Sequence, residues 1–115
     1  MRFARASFAL AGIYGLVATL AVYTQQPLSA ATLAAWWFAG AAAATQLAYL
    51  LIAGDPRRYA PFIPIGIVSK LSFALPVFWL AAKGVPAMPV PFALIDVALA
   101  ALFAVNYVRL RRMAR

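Results

Sequence analysis

The chain has 115 residues, of which 67% are hydrophobic and 10% charged. A water-soluble domain carries about 45–50% apolar and about 25% charged residues, so this composition excludes an ordinary soluble globular protein, and the length limits it to one domain. Ten Lys and Arg against two acids give a formal charge of +8, but the basic residues sit at the ends of apolar runs, not on one face of a polar fold. That placement argues against nucleic acid and for topology signals and contacts to anionic lipid headgroups.

Met1 to Arg5 is a short basic start, followed by the uncharged run Ala6 to Thr24. A basic start before an apolar run also describes a signal peptide. The run is long enough to span a bilayer and the chain begins at Met1, so residues 6–24 are expected to form a first transmembrane helix. Gln25 to Ser29 reads as a turn, with Pro27 stopping one helix and Ser29 capping the next. The second span is expected over residues 30–53. In it Ala35, Ala39 and Ala43, and separately Gly40 and Ala44, recur every four residues, a spacing that lets membrane helices approach closely.

Gly54 to Pro61, GDPRRYAP, is the clearest polar break. Gly54 suits a helix end, and Asp55-Pro56 suits a cap followed by a first-turn proline. The third span is expected over residues 62–83, with Pro76 kinking it or interrupting its hydrogen bonds. Gly84 to Pro91 contains three prolines and is expected to be an extended connector. The fourth span is expected over residues 92–110, ahead of the basic tail RRMAR.

Four spans place both termini and the middle loop on one side. That side carries Arg2, Arg5, Arg57, Arg58, Arg109, Arg111, Arg112 and Arg115, whereas the other carries Lys83 alone. The positive-inside rule then puts both termini in the cytoplasm, with Arg57, Arg58, Arg109, Arg111 and Arg112 at the lipid headgroups. Trp36, Trp37, Trp79 and Tyr23 fall toward the outer ends, and Tyr59 and Tyr107 toward the inner ends, as aromatic belts do. The expected fold is therefore all-α, four transmembrane helices in one up-down bundle.

Lys70 is the anomaly. It lies eight residues past the start of the third span, ~12 Å in at 1.5 Å per residue, and an ionisable group inside a span is costly enough to be a candidate for function. Gln46 and Tyr14 lie at similar depth in the second and first spans. All three are flanked at helical spacing by small residues: Gly66 and Ala74, Ala42 and Ala43, Ala11 and Ala18. Lys70, Gln46 and Tyr14 therefore form the candidate polar cluster, with Ser69, Thr45 and water as further acceptors. Snorkelling of Lys70 to the headgroups, a packed structural cluster and a ligand contact are the three readings of it. Asp96 is four residues into the fourth span and Lys70 thirteen from the end of the third, a difference in depth of ~14 Å. Depth therefore argues against a Lys70–Asp96 pair. Asp96 is expected near the outer face, as a helix-start anion with Lys83 and Trp79 for neighbours.

Reactive groups are scarce. With no Cys and no His, disulfides, thiol chemistry, Cys/His zinc sites and haem ligation by His are excluded. Ser69 and Ser72 point away from Lys70, which weakens a serine–lysine pair. The six glycines are scattered and Gly12 with Gly15 falls inside a helix, so no phosphate-cradling loop forms, and no catalytic constellation, metal site or cofactor is expected.

The run GDPRRYAPFIPIGIVSK, an aromatic-ended helix, a proline-rich connector and a last helix bearing Asp96 resemble the second half of small bacterial inner-membrane proteins broadly similar to the DoxX-like group. The resemblance covers Gly54 to Arg112 and implies a four-helix fold in the bacterial inner membrane, without an assigned activity. The chain departs from small multidrug transporters, which use a membrane glutamate in the first helix. It departs also from sterol-isomerase-like proteins, which use several buried acids where only Asp96 is present here. The expected function is a non-catalytic accessory or interaction subunit, with membrane lipids, other membrane subunits or a second copy of itself as partners. The alternative is a small oligomeric transporter or binder of apolar ligands built around Lys70.

Overall fold

In the computed structural model, residues 1–24 and 28–113 are described, so Gln25, Gln26 and Pro27 of the expected turn, and Arg115 of the basic tail, lie outside the described residues. Every regular element among the described residues is helical: α1 (Arg2–Leu20), which runs on through a 3₁₀ turn over Ala21–Thr24, then α2 (Ala30–Gly54), the one-turn α3 (Pro56–Tyr59), α4 (Ile63–Ala82) and α5 (Val90–Met113). Four helical segments, Arg2–Thr24, Ala30–Gly54, Pro56–Ala82 and Val90–Met113, are long and apolar enough to cross a membrane. The chain divides into two compact units, Met1–Pro56 and Arg57–Arg115. Each unit is a helical hairpin, α1 with α2 and α4 with α5.

The first hairpin is held by close approach. Ala4, Ser7, Phe8, Ala11, Gly12 and Gly15 are buried on α1, and Ala39, Gln46, Tyr49 and Ile52 on α2, the α2 set at steps of seven, three and three, so that each set lies along one helical face. Of the two small-residue series on α2, Ala39 is buried with Ala35 and Ala43 half-buried beside it, whereas Gly40 and Ala44 are exposed. The Gly12–Gly15 pair forms a notch. A Cβ on Gly12 would meet Leu50 Cδ2 at 2.6 Å and the Gln46 carbonyl at 3.0 Å, and a Cβ on Gly15 would overlap the Gln46 side chain. The two absent methyl groups thus set how near α1 and α2 can come.

Both ends of this hairpin are tied. Ser29 donates its backbone N–H to Thr32 Oγ1 at 2.9 Å, so Ser29 does start α2 as the expected cap. At that end Tyr23 Oη donates to the Trp36 carbonyl at 3.1 Å and the two rings lie 5.5 Å apart. At the other end Arg5 Nη1 donates to the Gly54 carbonyl at 2.7 Å. A cation on the orphan carbonyls of a helix C-terminus satisfies them and complements the helix dipole. Arg5 thus has a structural partner that charge counting alone does not reveal.

In the second hairpin, the expected polar break is itself structured: Pro56 opens α3 directly after Asp55, and residues 60–62 continue as a 3₁₀ turn into α4. Proline suits a first helical position because its missing N–H has no intrahelical role there. α4 continues through Pro76, although Pro76 cannot donate to the Ser72 carbonyl. It closes at Gly84, whose φ is +84°. Gly84 N–H donates to the Ala81 carbonyl at 3.0 Å and Val85 N–H to the Leu80 carbonyl at 3.1 Å, the two bonds of a Schellman cap with glycine in the left-handed position.

The connector differs from expectation. α5 begins at Val90, so Pro91 lies in its first turn, where proline is tolerated, and it runs beyond the expected end at residue 110 to include Arg111 and Arg112. Met88 and Val90 pack, with Phe73 and Phe78, against the buried cluster of Ala74, Val77 and Ala93. The chain therefore comes back down beside α4 before α5 starts.

The glycine notch yields a test. Overfilling a tight contact typically costs about 1–3 kcal/mol, so Gly15→Ala is expected to destabilise the first hairpin by that order. In a Gln46→Ala background the added methyl has room, and replacing a helix-interior glycine by alanine gains up to about 1 kcal/mol. The sign should reverse there. Unfolding in mixed detergent measures all four proteins, and additive effects across the cycle would remove the notch as the cause.

Candidate functional site

The candidate site is the buried polar layer of the second hairpin. On α4 the buried residues are Ile63, Gly66, Lys70, Ala74 and Val77, spaced three, four, four and three apart. On α5 they include Ala93, Asp96, Leu99, Ala100, Phe103, Asn106 and Leu110. Both series are helix-packing seams of the kind that interlock side chains along two helices, and each carries one charge.

Those charges meet. Lys70 Nζ donates to Asp96 Oδ1 at 3.2 Å, and the two residues are only 5% and 8% exposed. This overturns the expectation drawn from depth, and the reason is the connector. Depths counted from each helix's own end assume that α4 and α5 end level. They do not, because Val90, the first residue of α5, already lies against the Ala74–Val77–Ala93 cluster. From Ala93 it is three residues on to Asp96, and from Ala74 four residues back to Lys70. Running in opposite directions along antiparallel helices, these steps of ~4.5 and ~6 Å bring the two side chains to one level.

Two further expectations change with it. Lys70 does not snorkel, since its ammonium is buried against a carboxylate. Asp96 is not a helix-start anion near Lys83 and Trp79. Lys83 instead lies over the Trp79 ring, 4.7 Å from its centroid, a cation–π contact one helical turn long. Thr45 Oγ1 donates to the Ala41 carbonyl at 3.1 Å and Gln46 Nε2 to the Ala42 carbonyl at 3.0 Å, both on their own helix.

Gln46 and Tyr14 belong to the first hairpin and Lys70 to the second. Gln46 is buried against Gly15, and its Oε1 accepts no hydrogen bond; Tyr14 is half-buried. The Gly12–Gly15 notch that receives Gln46 is not evident from the sequence, where two glycines inside a helix show only that no phosphate-cradling loop forms. The one signal for it is that the two glycines lie three apart on the α1 face that carries Ala4, Phe8 and Ala11.

Arg57, Arg58, Arg109, Arg111 and Arg112 are all exposed. Arg57 and Arg58 lie on α3, immediately ahead of α4, and the other three on the last turns of α5. Within this antiparallel hairpin all five are at the end opposite the 83–89 connector. Arg58 stands over the Tyr59 ring at 5.3 Å and Arg111 over the Tyr107 ring at 5.7 Å.

Chemically, the pair at Lys70 and Asp96 is self-neutralising. A buried ammonium that already holds a carboxylate is a poor nucleophile, and among the described residues no group of three or more potential metal ligands gathers. No protein-family model, curated protein or solved structure matches the chain.

Removing one partner of a buried ion pair leaves an uncompensated charge and typically costs about 3–5 kcal/mol, whereas replacing both by apolar residues of similar size is often neutral. Lys70→Met and Asp96→Leu should therefore each destabilise the protein by that order, and the double variant should recover most of the loss. Thermal unfolding in detergent monitored by circular dichroism measures the cycle. A double variant as unstable as the sum of the singles would mean that the two charges are not coupled.

Proposed function

We propose that the chain is a multi-pass integral membrane protein that acts by association, as an accessory or interaction subunit of a membrane assembly. The observation that carries this reading is the Lys70–Asp96 pair: the two charges inside the spans satisfy each other within one hairpin. What the spans present outward is apolar. Leu10, Val17, Trp37, Leu75 and Leu94 are among the exposed large side chains, and exposed apolar surface on this scale fits lipid or another membrane helix better than water.

The alternative reading, an apolar-ligand binder or transporter using Lys70, draws less support, because an apolar ligand offers the ammonium nothing in exchange for Asp96. Packing of the four spans into one up-down bundle, cytoplasmic termini, the bacterial inner membrane and a DoxX-like architecture form part of the same proposal. Their support is the asymmetry of Arg and Lys between the ends of the spans and the resemblance over Gly54 to Arg112.

Two experiments test it. Purified in a mild detergent, the protein should give native masses above that of the bare chain, from a second copy, another subunit or retained lipid. A strict monomer carrying nothing would overturn the accessory reading. Because the chain has no cysteine, single-cysteine reporters are clean: Ala60→Cys should react with an impermeant thiol reagent only from the cytoplasmic side, and Ala87→Cys only from the outside. The reverse pattern would invert the topology.

A further inference from the structure

The outward face of α4 differs from that of the other long helices. On the side of α4 away from Lys70, Ile65, Val68, Ser72, Leu75 and Trp79 recur at steps of three, four, three and four residues, the spacing of a helix-packing seam. Ile65, Val68, Leu75 and Trp79 are 63%, 64%, 57% and 64% exposed, and Ser72 and Pro76 are exposed between them. The outward faces of α1, α2 and α5 are apolar in mid-span, as at Val17, Leu47 and Val105. Among the described residues, Ser72 is the one exposed polar side chain away from the ends of a span.

Ser72 holds a donor and an acceptor that do not complete each other. Its hydroxyl donates to the Val68 carbonyl at 2.7 Å, which the helix already supplies with the Ser72 backbone N–H, so this bond is redundant. One turn on, Pro76 has no N–H to give, and the Ser72 carbonyl lacks its helical donor. A backbone acceptor without a donor is costly in hydrocarbon, and neighbouring helices are one of the means that supply it. Within one chain the two groups stay apart, because the hydroxyl bonds toward the start of α4 and the carbonyl points toward its end.

We infer that this strip of α4 is the surface on which a second copy of the chain docks, with each Ser72 hydroxyl donating to the Ser72 carbonyl of the other copy. Two copies inserted the same way and related by a twofold axis along the membrane normal set α4 parallel to α4 and Ser72 opposite Ser72. That is an isologous contact, in which one patch must be complementary to itself, and a patch holding both the spare donor and the spare acceptor meets that condition. Ile65, Val68, Leu75 and Trp79 pack above and below, and one polar layer in such a seam fixes its register. Lys70 and Asp96 lie on the other side of α4 and keep their bond. The inference rests on the accessory reading above and specifies it, by naming the partner and the surface.

Disulfide trapping of the full chain in membranes tests the surface, since the chain has no cysteine of its own. Because a disulfide needs two close Cβ atoms, Val68→Cys and Leu75→Cys should give linked dimers at least about fivefold faster than Val17→Cys, Leu47→Cys and Val105→Cys. In the Leu75→Cys chain, Ser72→Ala removes the donor and Pro76→Ala gives the carbonyl a donor within its own helix. Each should slow trapping about fivefold, the worth of a hydrogen bond. Pro76→Ala adds a helical bond to its hairpin, so its effect cannot come from unfolding, and circular dichroism checks that Ser72→Ala keeps its helices. Faster trapping at Val17, Leu47 or Val105, or a rate that either variant leaves unmoved, would overturn the surface. A chain trapped at none of the five positions whose native mass still includes lipid or another subunit would overturn the second copy as partner and leave the accessory reading standing.

Discussion

A lysine and an aspartate inside helices of membrane-spanning length have one arrangement that avoids two separate penalties, and the register of α4 on α5 follows from it. Sliding one helix along the other by a turn would move the charges apart by ~5.4 Å and leave each buried without its partner. The small residues around them, Gly66 and Ala74 on α4 and Ala93 and Ala100 on α5, are buried and let the two helices come close. Lys70 and Asp96 thus supply specificity to an interface whose close approach comes from its small side chains, the role best attested for buried polar groups in helical assemblies. The path of the connector serves the same end. Met88 and Val90 lie back against Ala74 and Val77, and this starts α5 low enough for Asp96 to reach the level of Lys70.

The first hairpin solves the same problem sterically. Its register is fixed by the seating of Gln46 and Leu50 in the Gly12–Gly15 notch, where a methyl group in place of either glycine hydrogen would collide. Gln46 Nε2 is satisfied by the Ala42 carbonyl of its own helix, and Oε1 is left against the Gly15 backbone without a conventional donor. An unsatisfied amide oxygen is costly, and the weak donors there are Cα–H groups, which contribute little. The hairpin's ends add bonds with better geometry, from Arg5 to Gly54 and from Tyr23 to Trp36. One hairpin is therefore aligned by charge and the other by shape.

The parts of this architecture that depend on local chemistry were legible in the sequence. The four long apolar runs became the four long helices, Ser29 starts α2, Gly54 ends it, and Pro56 opens the turn that follows. The seam around Lys70 was legible too, since Gly66 and Ala74 are buried with it as their spacing predicts. What the sequence could not show was relative height. Counting from helix ends treats a loop as a spacer of no thickness, and the loop over residues 83–89 has a shape of its own. Its glycine cap turns the chain and its last residues descend along α4, an outcome of tertiary packing that no periodicity encodes. The Gly12–Gly15 notch was missed for a different reason: glycines inside a helix acquire meaning only when the residue facing them is known.

The pair at Lys70 and Asp96 also constrains any account of ligand chemistry. A molecule that engaged the Lys70 ammonium would have to replace the carboxylate, so it would need negative charge of its own, and it would leave Asp96 buried and in want of a proton or another cation. Removing one member of such a pair is expensive because the other is left uncompensated. An apolar ligand supplies neither charge nor hydrogen bond and cannot meet that cost. A lysine alone in a span invites a ligand to complete it, but a lysine already holding an aspartate does not.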